Sequence, residues 1–146
     1  TRTEYLSSLK SWAYDNTCNT LWMHGPAGTG KSSIARSFCQ ELAMDKNPGA
    51  NFFFKRGDFS RESARGLFPT LAYQMAIHSK EFGNAVATVM QKDPSVVSKT
   101  LAAQFQKLII EPWNIAMPSE DMVIVIDGLD ECCSEGDQQE ILHCIL

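Results

Sequence analysis

The chain has 146 residues, 44 % apolar and 21 % charged. That is one domain's worth, with enough apolar side chain for a sizeable core, so intrinsic disorder is excluded. Thirteen Lys and Arg stand against seventeen Asp and Glu, a net −4, the opposite of the balance an electrostatic nucleic-acid binder needs. No apolar run is long enough to span a bilayer, and Thr1-Arg2-Thr3-Glu4-Tyr5 does not open a signal peptide.

Glu4 to Asp15 places Leu6, Leu9, Trp12 and Ala13 at helical spacing, which predicts an amphipathic helix. Residues 16–19 are polar and read as a loop. Thr20-Leu21-Trp22-Met23-His24 predicts a short buried parallel strand, with His24 packed at its end. From Lys31, Ile34, Phe38 and Leu42 fall four apart, so a helix follows, closed by Asn47-Pro48-Gly49. Asn51-Phe52-Phe53-Phe54 predicts a second strand whose three aromatic rings belong to the sheet core. Lys55 to Ser63 is charged loop.

Leu67, Leu71 and Met75 predict the next helix, with Pro69 confined to its first turn. Phe82, Val86, Val89 and Met90 predict another, broken at Asp93-Pro94, with Ser95 as N-cap of its successor. That successor carries Leu101, Phe105, Leu108 and Ile109 and closes at Glu111-Pro112-Trp113. Met122 to Ile126 is five consecutive apolar residues, which predicts a strand covered on both faces. Gln138 to Leu146 reads as a last helix. Strands alternating with helices give an α/β fold with a parallel sheet.

The charge is unevenly spread. Residues 120–146 carry eight acidic side chains and no Lys or Arg, while residues 1–119 sum to +4. Such polarity suits a site that handles phosphate at one end and a cation at the other. Five cysteines, an odd count with no C-x-x-C pair, fit a reducing, cytoplasmic compartment. Cys132, Cys133, His143 and Cys144 have poor zinc-ligand spacing and read as thiols without a metal.

Gly25-Pro26-Ala27-Gly28-Thr29-Gly30-Lys31-Ser32 matches G-x-x-x-x-G-K-[ST] in full. The glycines permit a partly left-handed loop that turns N–H groups inward. With the N-terminus of the next helix, through Ser33, these donors suit a β-phosphate. Lys31 would reach the β- and γ-phosphates, and the Ser32 hydroxyl would ligate Mg²⁺. Such a loop needs a carboxylate at another strand end to hold the metal. Asp127, directly after the 122–126 run, is the candidate. Gly128 stands where many fast ATPases place a glutamate. Asp130 and Glu131 are the next acids, and either is a candidate to orient the attacking water. Gly128 therefore implies slow hydrolysis. The N-K-x-D motif of GTPases is absent, so ATP is favoured, with GTP as the alternative.

The phosphate loop together with Val123-Ile124-Val125-Ile126-Asp127-Gly128-Leu129-Asp130-Glu131-Cys132 resembles the NACHT domain of the STAND signalling NTPases. Phe52-Phe53-Phe54-Lys55-Arg56-Gly57-Asp58, followed by Leu67-Phe68-Pro69-Thr70-Leu71-Ala72, is similar to the NACHT modules of fungal NLR-like, nephrocystin-like proteins. The resemblance covers nearly all of the chain. It implies a three-layer P-loop fold with residues 1–18 as N-terminal helix and linker and 19–146 as a core running through the acidic strand. It also implies ATP–Mg²⁺ binding, slow hydrolysis and self-association through the module. NLR-like members serve innate-immune signalling, with an effector domain before the module and sensor repeats after it. The family's later strand, its sensor arginine and its winged helix lie outside this sequence, so the sheet is expected to be incomplete here and the natural chain longer. Membrane and nucleic acid are not expected partners.

Three residue groups stay open at this level. Lys55, Arg56, Arg61 and Arg65 read either as a phosphate or subunit contact or as a solvated loop. Trp12 and Tyr14 lie on the helix that would cover a base, although core packing is the simpler role for Trp12. A small-molecule kinase or a nucleotide-independent scaffold are the alternatives to a switch, the first lacking an Arg-rich lid between Arg56 and Pro94, the second at odds with intact Lys31, Ser32 and Asp127.

Overall fold

The computed structural model describes residues 2–15 and 17–146, so Asn16 of the expected 16–19 loop lies outside the described residues. The chain divides into two compact units, residues 1–48 and 49–146.

The first unit is a helix pair. Helix α1, Arg2–Tyr14, packs on α2, Lys31–Met44. Lys10 of α1 reaches Glu41 at 3.0 Å and Asp45 at 3.1 Å on α2, and the Arg2 guanidinium donates to the Ser37 hydroxyl. Ala35, Phe38 and Leu42 are the buried positions of α2, as the four-residue spacing requires. Lys46 takes a left-handed conformation, and the Asn47 N–H returns to Leu42 O at 3.0 Å, which ends the helix before Pro48.

Thr20 to His24 forms no strand, a correction to the expectation above. A strand needs a partner to complete its N–H and C=O ladder, and the one ladder among the described residues joins two other segments. Leu21, Trp22 and His24 are exposed, so His24 is not packed at a strand end.

The second unit holds a two-stranded parallel sheet under helices, a mixed α/β architecture that is mostly helical. Strand β1, Ala50–Phe53, pairs with β2, Ile124–Asp127, in the register Ala50↔Ile124 to Phe53↔Asp127. Asp127 is thus the last residue of the strand, not the first after it. Only Val123 of the 122–126 run is buried, and Ile124 is 38 % exposed, so the run is not covered on both faces. β-Branched residues record a strand preference, not the number of covered faces. Alternation likewise separates the three phenylalanines. Phe52 and Phe54 are buried with ring centroids 4.8 Å apart, while Phe53 is half-buried on the other side.

Helices α3, Leu67–His78, and α4, Lys80–Lys92, pack on each other, and α3 lies on β1. Ser79 caps α4 by accepting from Phe82 N at 3.2 Å. Ser95 is not an N-cap. Asp93 accepts from Ser95 N at 3.1 Å to start a 3₁₀ turn, and Thr100 caps α5, Leu101–Phe105. The helix does not close at 111–113 either. A π turn over Gln106–Ile110, in which Glu111 N–H reaches Gln106 O, leads into α6, Glu111–Ala116. The wider turn shifts the hydrogen-bond register just before Pro112, which has no N–H to give and would crowd the carbonyl four residues back. Helix α7, Glu135–Ile145, packs on α5. The core gathers Leu67, Phe68, Leu71, Phe82, Leu108 and Ile141.

Candidate functional site

The phosphate-type loop lies in the first unit. Gly28 and Gly30 have φ of +79° and +86°, the left-handed region that glycine enters at little cost. A Cβ at either would meet nothing within 4 Å, so the demand comes from backbone torsion and not from crowding. Gly30 is the residue before α2 and offers no side chain to its N-terminus. The first helical bond is Ile34 N–H to Gly30 O at 3.0 Å. The N–H groups of Lys31, Ser32 and Ser33 therefore stand ahead of the ladder as donors, at the positive end of the helix.

Lys31 lies back over its own loop. Its ammonium donates to Gly25 O at 2.8 Å and Pro26 O at 2.7 Å, and the Thr29 hydroxyl donates to Pro26 O at 2.8 Å. Residues 25–30 and Ser33 are exposed; Lys31 and Ser32 are half-buried. The loop and the first helical turn thus present open backbone N–H groups, the Lys31 ammonium and the hydroxyls of Ser32 and Ser33, a donor set that fits a phosphate chain. Trp12 is half-buried and donates from its indole to Cys18 O at 3.0 Å, while Tyr14 is exposed.

The acidic turn lies in the second unit. Parallel pairing puts the carboxyl ends of β1 and β2 on the same edge, so the loops that follow them meet. Phe54 N–H donates to Asp127 O at 2.9 Å. Asp127 is half-buried and Asp130 is exposed. Gly128 has φ +70°, and a Cβ there would stand 2.9 Å from Phe54 O. No other residue type fits that position without moving the strand end. Glu131 Oε2 accepts the Arg56 N–H at 3.0 Å, and the Arg56 guanidinium donates to Asp130 O at 3.1 Å. No spacing rule links these residues, so sequence reasoning missed the contact.

The basic cluster separates by role. Arg61 makes a two-point contact with Asp58 at 2.8 and 2.6 Å. Arg56 holds the acidic turn. Lys55 and Arg65 are exposed and make no ion pair among the described residues. The Ser60 hydroxyl, then Arg61, hold the Asp58 carboxyl down at about 2. Cys132 is buried, and burial pushes its thiol up; Cys133 and His143 are exposed. Among the described residues no group of three or more His, Cys, Asp or Glu is placed to hold a metal, and no helix is long and apolar enough to cross a membrane.

The family model described as Nephrocystin 3, N-terminal, matches residues 4–146. The chain belongs to that family. The searches of curated proteins and of solved structures returned no match.

Proposed function

We propose that this chain is the nucleotide-binding module of a signalling switch of NACHT type, with a P-loop fold, in a cytoplasmic NLR-like protein. It takes ATP in preference to GTP, together with Mg²⁺. It hydrolyses slowly, self-associates in a nucleotide-controlled way, and works between effector and sensor segments of a longer chain. One observation carries the reading: a complete G-x-x-x-x-G-K-S sequence whose second and third glycines take left-handed torsions directly before a helix bearing Lys31 and Ser32. Family membership along residues 4–146 adds the agreement with the nephrocystin-like blocks.

In this reading Lys31 exchanges two carbonyl partners for phosphate oxygens, and the amides of residues 28–33 supply the remaining donors. Ser32 and Asp127 are the residues assigned to Mg²⁺, which supplies charge neutralisation when bound. Gly128 leaves no side chain beside Asp127, which supports slow turnover.

Calorimetric titration with ATP, with and without Mg²⁺, tests this. Micromolar or tighter binding that strengthens with Mg²⁺ is the expected result. Lys31→Ala removes a charge-assisted contact of about 1.5–3 kcal/mol, so affinity falls by roughly 10- to 100-fold. Binding equal to wild type removes Lys31 from its role, and absence of binding in the wild type overturns the function.

A further inference from the structure

Two acids follow Gly128, and the structure treats them differently. Glu131 is committed. Its Oε2 accepts the main-chain N–H of Arg56 at 3.0 Å across a separation of 75 residues. The guanidinium of the same Arg56 donates to the main-chain carbonyl of Asp130 at 3.1 Å. A second tie lies alongside, where Cys133 N–H donates to Glu62 O at 2.8 Å and the Glu62 carboxylate accepts Gly57 N–H at 2.9 Å. The Asp130 carboxylate is exposed and has no hydrogen-bond partner among the described residues.

We infer that Glu131 is a positioning residue. Its carboxylate fastens the acidic turn to the 55–62 loop and fixes where Asp127 and Asp130 point. The inference rests on the nucleotide reading above. It adds a consequence: whatever displaces the 55–62 loop also displaces the acidic turn, so the loop is a handle on the site.

The chemistry separates positioning from direct action. A peptide N–H needs only an acceptor oxygen, which the glutamine amide supplies as well as a carboxylate does. Polarising water needs the charge, which glutamine lacks. Single-turnover hydrolysis of Mg²⁺–ATP by the full chain is therefore measured for wild type, Glu131→Gln, Glu131→Ala and Asp130→Asn, together with amide exchange over residues 55–62. A reacting group misplaced by about 1 Å costs up to about 100-fold. Glu131→Gln should stay within about threefold of wild type in rate and in loop protection. Glu131→Ala should lose roughly tenfold or more in rate and lose the loop protection, with nucleotide affinity unchanged. Asp130→Asn should leave the loop protected, because the clasp uses only the main-chain oxygen of Asp130.

A Glu131→Gln variant as slow as Glu131→Ala overturns the inference, because charge and not acceptance would then be the requirement. So does a Glu131→Ala variant with wild-type rate. If the wild type binds nucleotide but hydrolyses none, the slow-hydrolysis part of that reading fails and the clasp is judged on exchange alone. Protection lost only in Glu131→Ala supports it, and equal protection in all four proteins overturns it.

Discussion

Position 128 is decided by the backbone. A left-handed torsion of +70° and a carbonyl 2.9 Å from where Cβ would stand leave room for glycine alone. Gly128→Ala should lose about 1–2 kcal/mol from torsion, plus the cost of moving Phe54 O, read as a fall in the urea midpoint. Gly128→Glu restores the acid of fast ATPases at that place, yet it should lose stability without gaining rate. An unchanged midpoint in both variants would show that the strand end yields. The cysteines give a second check at this scale. Cys18 and Cys133 are exposed, Cys39 and Cys144 partly covered, and Cys132 is buried with its thiol raised by burial. Thiolate is the reactive form, so iodoacetamide at pH 8 should label Cys18 and Cys133 first and Cys132 only on unfolding. The left-handed glycines ahead of the helix that starts at Lys31 were legible in the sequence because their motif is local. The torsion of Gly128 and the partner of Glu131 were not, since both depend on β1 arriving beside β2.

At the scale of elements, the sheet ends on one side by a side-chain device. Ala50 N–H and Phe54 N–H both point to β2, so the N–H and C=O of Asn51 point away from it. Gln74 of α3 takes both, accepting from Asn51 N at 2.7 Å and donating to Asn51 O at 3.0 Å. The amide stands in for the peptide group of a further strand and occupies that edge at Asn51. Gln74→Ala leaves two main-chain groups unpaired and should destabilise by about 1–3 kcal/mol; a loss below about 0.5 kcal/mol in urea unfolding would show that water replaces it. The 55–62 loop is held by Asp58 in a similar way, through Ser60 and Arg61. Its carboxyl sits at about 2, below the ordinary 3.8. The folded value is depressed, so the contribution is complete above pH 3.8 and is lost as pH falls towards 2. Amide signals of Ser60 and Arg61 should shift across that window, and Asp58→Asn should remove the shift. Helices α2, α3 and α4 were legible because a four-residue apolar period survives in any context. The 20–24 strand was not, because apolar runs report burial preference while a ladder needs a partner. The π turn before Pro112 was not either, because proline in sequence reads as an end.

At the scale of the whole molecule, the assigned metal residues fall in different compact units, Ser32 in residues 1–48 and Asp127 in residues 49–146. That one cation serves both is part of the proposed function, and it has a thermodynamic signature. Bound nucleotide raises stability by RT ln(1 + [L]/Kd), so the Mg²⁺-dependent part of that rise isolates the cation. Ser32→Ala and Asp127→Asn should each remove most of it while leaving the Mg²⁺-free part of ATP binding intact. The double variant should lose no more than either single one, because a cation already released cannot be lost again. Residues that act independently instead give losses that add to within about 0.3–0.5 kcal/mol. Additive losses in thermal unfolding at fixed ATP would therefore separate Ser32 from Asp127 and remove the common metal, while leaving the proposed phosphate role of the 25–32 loop, whose geometry belongs to the first unit alone, untouched.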